Sequence, residues 1–300
     1  MKMSILEIFR NFTMAIADID VYRKSVESAA DRTYNYLLQY KDNVSSRSSS
    51  RTINVQNMFF KDATSGKPIF YGFRDIDIDQ EILNLFRHTN RQHQWFLVEA
   101  YELFEEFLKH AYAFMGMNDP KRWELSDFGD ILWDEVESKN FQWFLEKSRK
   151  KKKAPLSMLR QFRKVLPRMK SVESSNRYNC DLLVAVTLVG GMRHKIVHAK
   201  GIISDRKEFA QRLITSLGYS GAGMAHHLDF IEKTLLVNSE NGEIHLLNIP
   251  APDSRPPFLF HYDVLDVFIR FLLTYAHQVY LSLGGHELVD YSDLKRTPTQ

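Results

Sequence analysis

Arg177–His198, RYNCDLLVAVTLVGGMRHKIVH, is the stretch on which the fold turns. From Leu182 to Met192 it carries no charged side chain. A helix apolar on all sides belongs at the centre of a bundle rather than on its surface. Asn176 is placed to cap this helix, and Gly201 supplies its stop just past His198. At fewer than the roughly 20 residues a bilayer span needs, the apolar run reads as core and not as a membrane segment.

Working outward, residues 94–116, QWFLVEAYELFEEFLKHAYAFMG, form a long amphipathic helix closed by Gly116 and the Asn118-Asp119-Pro120 turn. The stripe of Trp95, Phe96, Tyr101, Phe104 and Phe107 on it reads as core, not as a base-stacking platform. Helical patterning also covers 4–42 and resumes from Asp79. Between them lie a serine-rich stretch, 43–51, and two β-rich runs, TINVQNMFF and KPIFYGF, that predict a hairpin near 52–73. Further helices are expected over 140–152, from Pro155 to Pro167, over 209–217, 226–233 and 262–283. TLLVNSENGEIHLLNI reads as a second hairpin across Asn241-Gly242. The class is therefore all-α in the main: a helical bundle with an N-terminal helical extension and two small β-hairpins. The expected division is 1–78, an N-terminal helical and hairpin region; 79–290, the helical domain; and 291–300, a tail.

Composition removes several classes. With 44% hydrophobic residues and 38 aromatics in 300, the chain can build a large core and is not disordered. One cysteine, Cys180, rules out an internal disulfide and a cysteine-built zinc site. The opening MKMSILEIFRNF carries Glu7 and Arg10 and reads as the start of a helix, not a leader, so a cytoplasmic chain without a membrane partner is expected. No phosphate-cradling glycine loop and no nucleophile elbow occurs, which excludes the common nucleotide-binding and α/β-hydrolase readings and leaves no cofactor to expect.

Charge is concentrated. Between Lys147 and Lys170 stand eleven basic residues and no acid, so a net charge of +3 leaves about −8 for the rest. A local polyanion-binding surface has this asymmetry, and a solvated basic loop is the alternative. Lys150, Lys151, Lys152, Lys153, Arg160, Arg163 and Lys164 are the candidate residues for binding a polyanion, an RNA backbone if the resemblance drawn below holds.

The chemistry-bearing motif is MRHKIVHAKG, in which Arg193 and His198 are separated by four residues and the polar His194 follows the arginine directly. Three other pairs have five or six residues between arginine and histidine, within the same range of four to six: Arg87 with His93, Arg255 with His261 and Arg270 with His277. Arg255 sits among prolines and Arg270 precedes Phe271, so Arg87, with His88 and His93, is the serious competitor. On a helix His194 and His198 face the same way, whereas Arg193 and His198 diverge by about 140°.

The motif, with the helix order over roughly 91–283, resembles the R-x4-6-H signature of the HEPN superfamily. That resemblance implies a metal-independent endoribonuclease acting through 2′-hydroxyl attack, a toxin or antiviral defence protein. Arg193 would clamp the scissile phosphate, His198 would serve as general acid or base, and His194 would orient or share proton transfer. It also implies a homodimer with motif helices facing each other, bringing Arg193 of one copy to His198 of the other, and an antitoxin or regulatory protein as a possible partner. The chemistry suits these residue types: an arginine fork holds two phosphate oxygens and stays charged, and histidine moves protons near neutral pH. The alternative is a catalytically inactive helical RNA-binding or protein-interaction module. A zinc site on His194 and His198 is a third reading, and it lacks a third ligand.

Overall fold

The computed structural model describes residues 3–45, 53–55, 58–71, 74–221, 223–250 and 261–286. In chain order these form α1 (Ile5–Ser45), β1 (Ile53–Val55), β2 (Phe59–Lys61), β3 (Pro68–Phe70), β4 (Arg74–Ile76) and α2 (Ile78–Asn118). After a 3-10 turn at Pro120–Arg122 come α3 (Leu125–Phe128), α4 (Trp133–Val136), α5 (Phe141–Arg149), α6 (Leu156–Val165) and α7 (Pro167–Ser174). Then follow α8 (Leu182–Ala199), α9 (Arg206–Ser216), α10 (Gly223–Thr234), the short β5 (Ile249–Pro250) and β6 (His261–Tyr262), and α11 (Val264–Ser282). The chain is mostly helical with small two-stranded sheets, as its periodicity predicts.

Packing divides it into two units, Met1–Asp20 with Gln94–Gln300, and Val21–His93. In the larger unit α8 and α11 pack on each other at the centre, with Leu182–Val186, Leu188, Val189, Met192 and Ile196 of α8 buried. Each of these leucine, valine, isoleucine and methionine side chains contributes about 1.5–3 kcal/mol on burial. The first turns of α1 join this core: Phe9 stacks on Tyr280 of α11 at 4.8 Å between ring centroids, and Phe12 meets Phe107 of α2 at 5.2 Å. The N-terminal 20 residues thus belong to the helical body itself and are not outside it.

The smaller unit holds the ribbon β1–β4. Phe59 pairs with Phe70 and Lys61 with Pro68, while Ile53 pairs with Ile76 and Val55 with Arg74. Residue numbers sum to 129 in every pair of both ladders, so the two ladders keep the same register. Asp62 fastens the tip by accepting hydrogen bonds from the Thr64 and Ser65 amides and the Ser65 hydroxyl, with Gly66 taking a φ of +67°. Within the same unit Tyr34 packs on Phe86, and Lys41 pairs with Asp79.

Three local expectations change. The cap of α8 is Asp181, whose Oδ1 accepts from the amides of Leu183 and Val184. Asn176 instead donates its side-chain amide to the carbonyls of Val172, Glu173 and Cys180, closing the end of α7. The second hairpin contracts to a turn with one bridge, Val237 to Ile244, because its far side is shared with the segment after α8: Ile203 donates to Gly242 and Ile244 to Gly201. Finally, α8 and α11 are each long and apolar enough to cross a membrane, contrary to the length argument made for α8. Half or more of each is buried inside the bundle.

Candidate functional site

The motif occupies the last turns of α8, where the buried run ends and polar residues take over. Lys200 closes the helix in the left-handed conformation (φ 54°) and Gly201 continues it at φ +76°. A Cβ on Gly201 would lie 2.7 Å from the Gln94 side chain, which itself donates to the Ile244 carbonyl at 2.8 Å. The chain leaving the motif is therefore fixed against α2.

Arg193 turns toward α2. Its Nη2 donates to Glu102 Oε1 at 2.9 Å, while its Nε is buried with no hydrogen bond among the described residues. Close approach of the two helices comes from Gly190: a Cβ there would stand 2.5 Å from the Tyr101 hydroxyl. Burial pushes the Tyr101 hydroxyl well above its ordinary pKa, with Glu105 adding to the shift and Arg193 opposing it. Burial likewise raises the Glu105 carboxyl, and Lys109 and Arg193 pull it back.

His194 and His198 are exposed, one turn apart, with ring centroids at 4.7 Å. All three motif side chains thus reach the surface end of α8, with the arginine held by a carboxylate and the histidines open to solvent. Among the described residues no group of three or more His, Cys, Asp or Glu is placed to hold a metal ion.

The competing pairs are placed differently. His93 is buried, 3.6 Å from Glu27, whereas Arg87 and His88 are exposed. Arg270 pairs with Asp266, and His277 packs among Phe9 and Tyr280. Arg255 lies outside the described residues.

The basic segment does not act as one surface. Lys151 is committed inward: its side chain is 3% exposed, and its ammonium lies 2.6 Å from Asp127 Oδ2 and 2.7 Å from Glu124 Oε2. Arg163 contacts the buried Glu173 at 3.2 Å and donates to the Tyr219 hydroxyl. Arg160 donates to the Ser216 carbonyl. Lys150, Lys152, Lys153 and Lys164 are exposed. With Lys147 and Ser157, the first three line a cleft of about 500 Å3 opposite Asp127 and Gly129.

Glu102 is the residue sequence reasoning missed. It sits one turn from Glu106 on α2, and Glu106 binds Arg149 of the basic segment. Residues four apart share a helix face. One face of α2 therefore anchors both the motif arginine and the start of the basic run.

Comparison with family models, curated proteins and solved structures found no match to the chain.

Proposed function

We propose that this chain is a metal-independent endoribonuclease of HEPN type, with Arg193, His194 and His198 as its reacting groups. The observation that carries the reading is the end of α8. A helix buried along most of its length releases one arginine and two neighbouring, exposed histidines together, on a backbone fixed by Gly201 and Gln94. In the reaction, one imidazole removes the 2′-hydroxyl proton. The 2′-oxygen forms a bond to phosphorus, the bond to the 5′-oxygen breaks, and a second, protonated imidazole supplies that oxygen's proton. Arg193 exchanges Glu102 for the phosphoryl oxygens and stabilises their charge. A second copy facing the first across a two-fold axis would bring in the histidine that Arg193 points away from. Lys150, Lys152, Lys153 and Lys164 are the exposed cations that would follow the RNA backbone.

The second reading, an inactive helical module, is favoured by one observation: Glu102 already occupies the arginine. Incubation with total RNA in EDTA separates the two. An active enzyme cleaves, and Arg193→Ala and His198→Ala each abolish cleavage while circular dichroism is unchanged. No cleavage by the wild type, or full activity in both variants, refutes the assignment.

A further inference from the structure

The ribbon of the smaller unit exposes an unusual set of side chains. By strand alternation Met58, Phe60, Ile69 and Tyr71 share one face, and Phe59 and Phe70 stand on the other with Lys61 and Pro68. All six apolar side chains are 41–55% exposed. A soluble two-stranded hairpin normally leaves at least one face polar, and an isolated one is marginally stable in water.

Its edges are unequal. Tyr71 donates to the Met58 carbonyl and Asp62 to the Lys67 carbonyl, so positions 58, 60 and 62 of the first strand point their backbone groups into the hairpin. Positions 59 and 61 point theirs outward. On the opposite strand the outward positions are 68 and 70, and Pro68 has no amide hydrogen. The β2 edge thus offers two donors and two acceptors, unpaired among the described residues, and the β3 edge is one donor short.

We infer that this ribbon is a self-association surface: β2 of one copy pairs antiparallel with β2 of a second copy about a two-fold axis at Phe60. Phe59 and Lys61 of each copy then exchange four backbone hydrogen bonds with Lys61 and Phe59 of the other. That register sets each Lys61 across from a phenylalanine and keeps the two lysines apart. The two Phe60 rings meet in a non-hydrogen-bonded pair, where strands approach closest.

Pairing at this edge adds the Phe60–Phe60 contact on one face and two Phe59–Lys61 contacts on the other to the four backbone hydrogen bonds, and cross-strand pairs of this kind are the unit by which a sheet gains stability. Lipid is disfavoured as the occupant because the tip is polar, with the Asp62 carboxylate and Lys67 at its end. RNA is disfavoured because residues 58–71 carry two lysines against one aspartate. The inference stands independently of the ribonuclease reading.

Single-cysteine variants of the full chain test the register, since the native Cys180 is buried. Mild oxidation links Phe60→Cys into homodimers. Phe59→Cys alone stays unlinked, but a mixture of Phe59→Cys and Lys61→Cys links. Lys61→Pro removes an outward amide hydrogen that the hairpin's own ladder does not use. It should weaken self-association at least tenfold by sedimentation, with an unchanged circular dichroism spectrum. Monomeric wild type at 200 μM overturns the inference. So does a dimer that survives Lys61→Pro and gives no Phe60→Cys link, which would place the contact elsewhere, as along α8. Lys61→Pro or Phe60→Lys lowering RNA affinity without altering association also overturns it, in favour of RNA as the occupant.

Discussion

Replacing Lys151 by alanine should unfold the larger unit more readily by about 3 kcal/mol, although the residue lies inside a run of four lysines. Its ammonium is enclosed by Asp127 and Glu124, lies 5.2 Å from the Tyr112 ring centroid, and is almost wholly hidden from water. Glu124 is 40% exposed, so its share resembles that of a surface pair, at most about 1 kcal/mol. Asp127 is 8% exposed and would be left charged without its cation, a loss of about 3–5 kcal/mol. Its other oxygen-bound partner, the Tyr112 hydroxyl at 2.5 Å, remains and keeps the figure at the low end. For a unit of roughly 230 residues, 3 kcal/mol corresponds to a fall in Tm of about 6–12 °C. Urea unfolding followed by tryptophan fluorescence reports on the site, because Trp123 stacks on Tyr112 at 5.0 Å. The neighbouring exposed lysine provides the control: Lys152→Ala should change stability by less than about 0.5 kcal/mol. If Lys151→Ala and Lys152→Ala unfold alike, or if Asp127→Asn does not reduce the effect of Lys151→Ala, the buried ion pair does not hold this region.

Two further outcomes follow from the same packing. Burial pushes the Glu173 carboxyl up to about 7, against the Tyr275 hydroxyl at 2.7 Å and the Arg163 guanidinium. The folded chain then keeps a proton that the unfolded chain releases near pH 4.3, so stability should fall as pH rises from there to about 7 and level off beyond. Glu173→Gln should remove that component, and equal pH slopes in variant and wild type would sink the idea. Gly190→Ala should destabilise by about 1–3 kcal/mol, since its methyl meets the Tyr101 hydroxyl, and Tyr101→Phe should restore part of the loss in a thermal melt. An unchanged Tm in Gly190→Ala would show that α2 and α8 can part there freely.

The long helices were legible from periodicity, because each buries one face or all of it, whereas the short α3, α4 and α7 were not, being too brief to show a period. Ile5, Ile8, Phe9, Phe12, Ile16 and Ile19 even announce the buried stripe of α1. Which core that stripe joins was not legible, since Phe9 meets a tyrosine 271 positions later. The cap of α8 was ambiguous for a local reason: Asn176 and Asp181 are both good capping residues, and only the carbonyls at the end of α7 decide between them. Within the basic run, sequence treats neighbouring lysines alike, while the acids that neutralise Lys151 lie 24 and 27 positions earlier. Glu102 was equally hidden, 91 positions from Arg193. The Gly190-Gly191 pair was the available sign that something comes close to α8 just before the motif.

The common register of the two ladders also limits how the ribbon's length can change over evolutionary time. A single residue inserted into either strand would turn every side chain beyond it onto the opposite face. Lengthening that keeps the apolar face intact must therefore come as matched additions to both strands, or be confined to the Asp62–Lys67 tip. Among natural variants of this chain, the count of residues before the tip should rise and fall in step with the count after it.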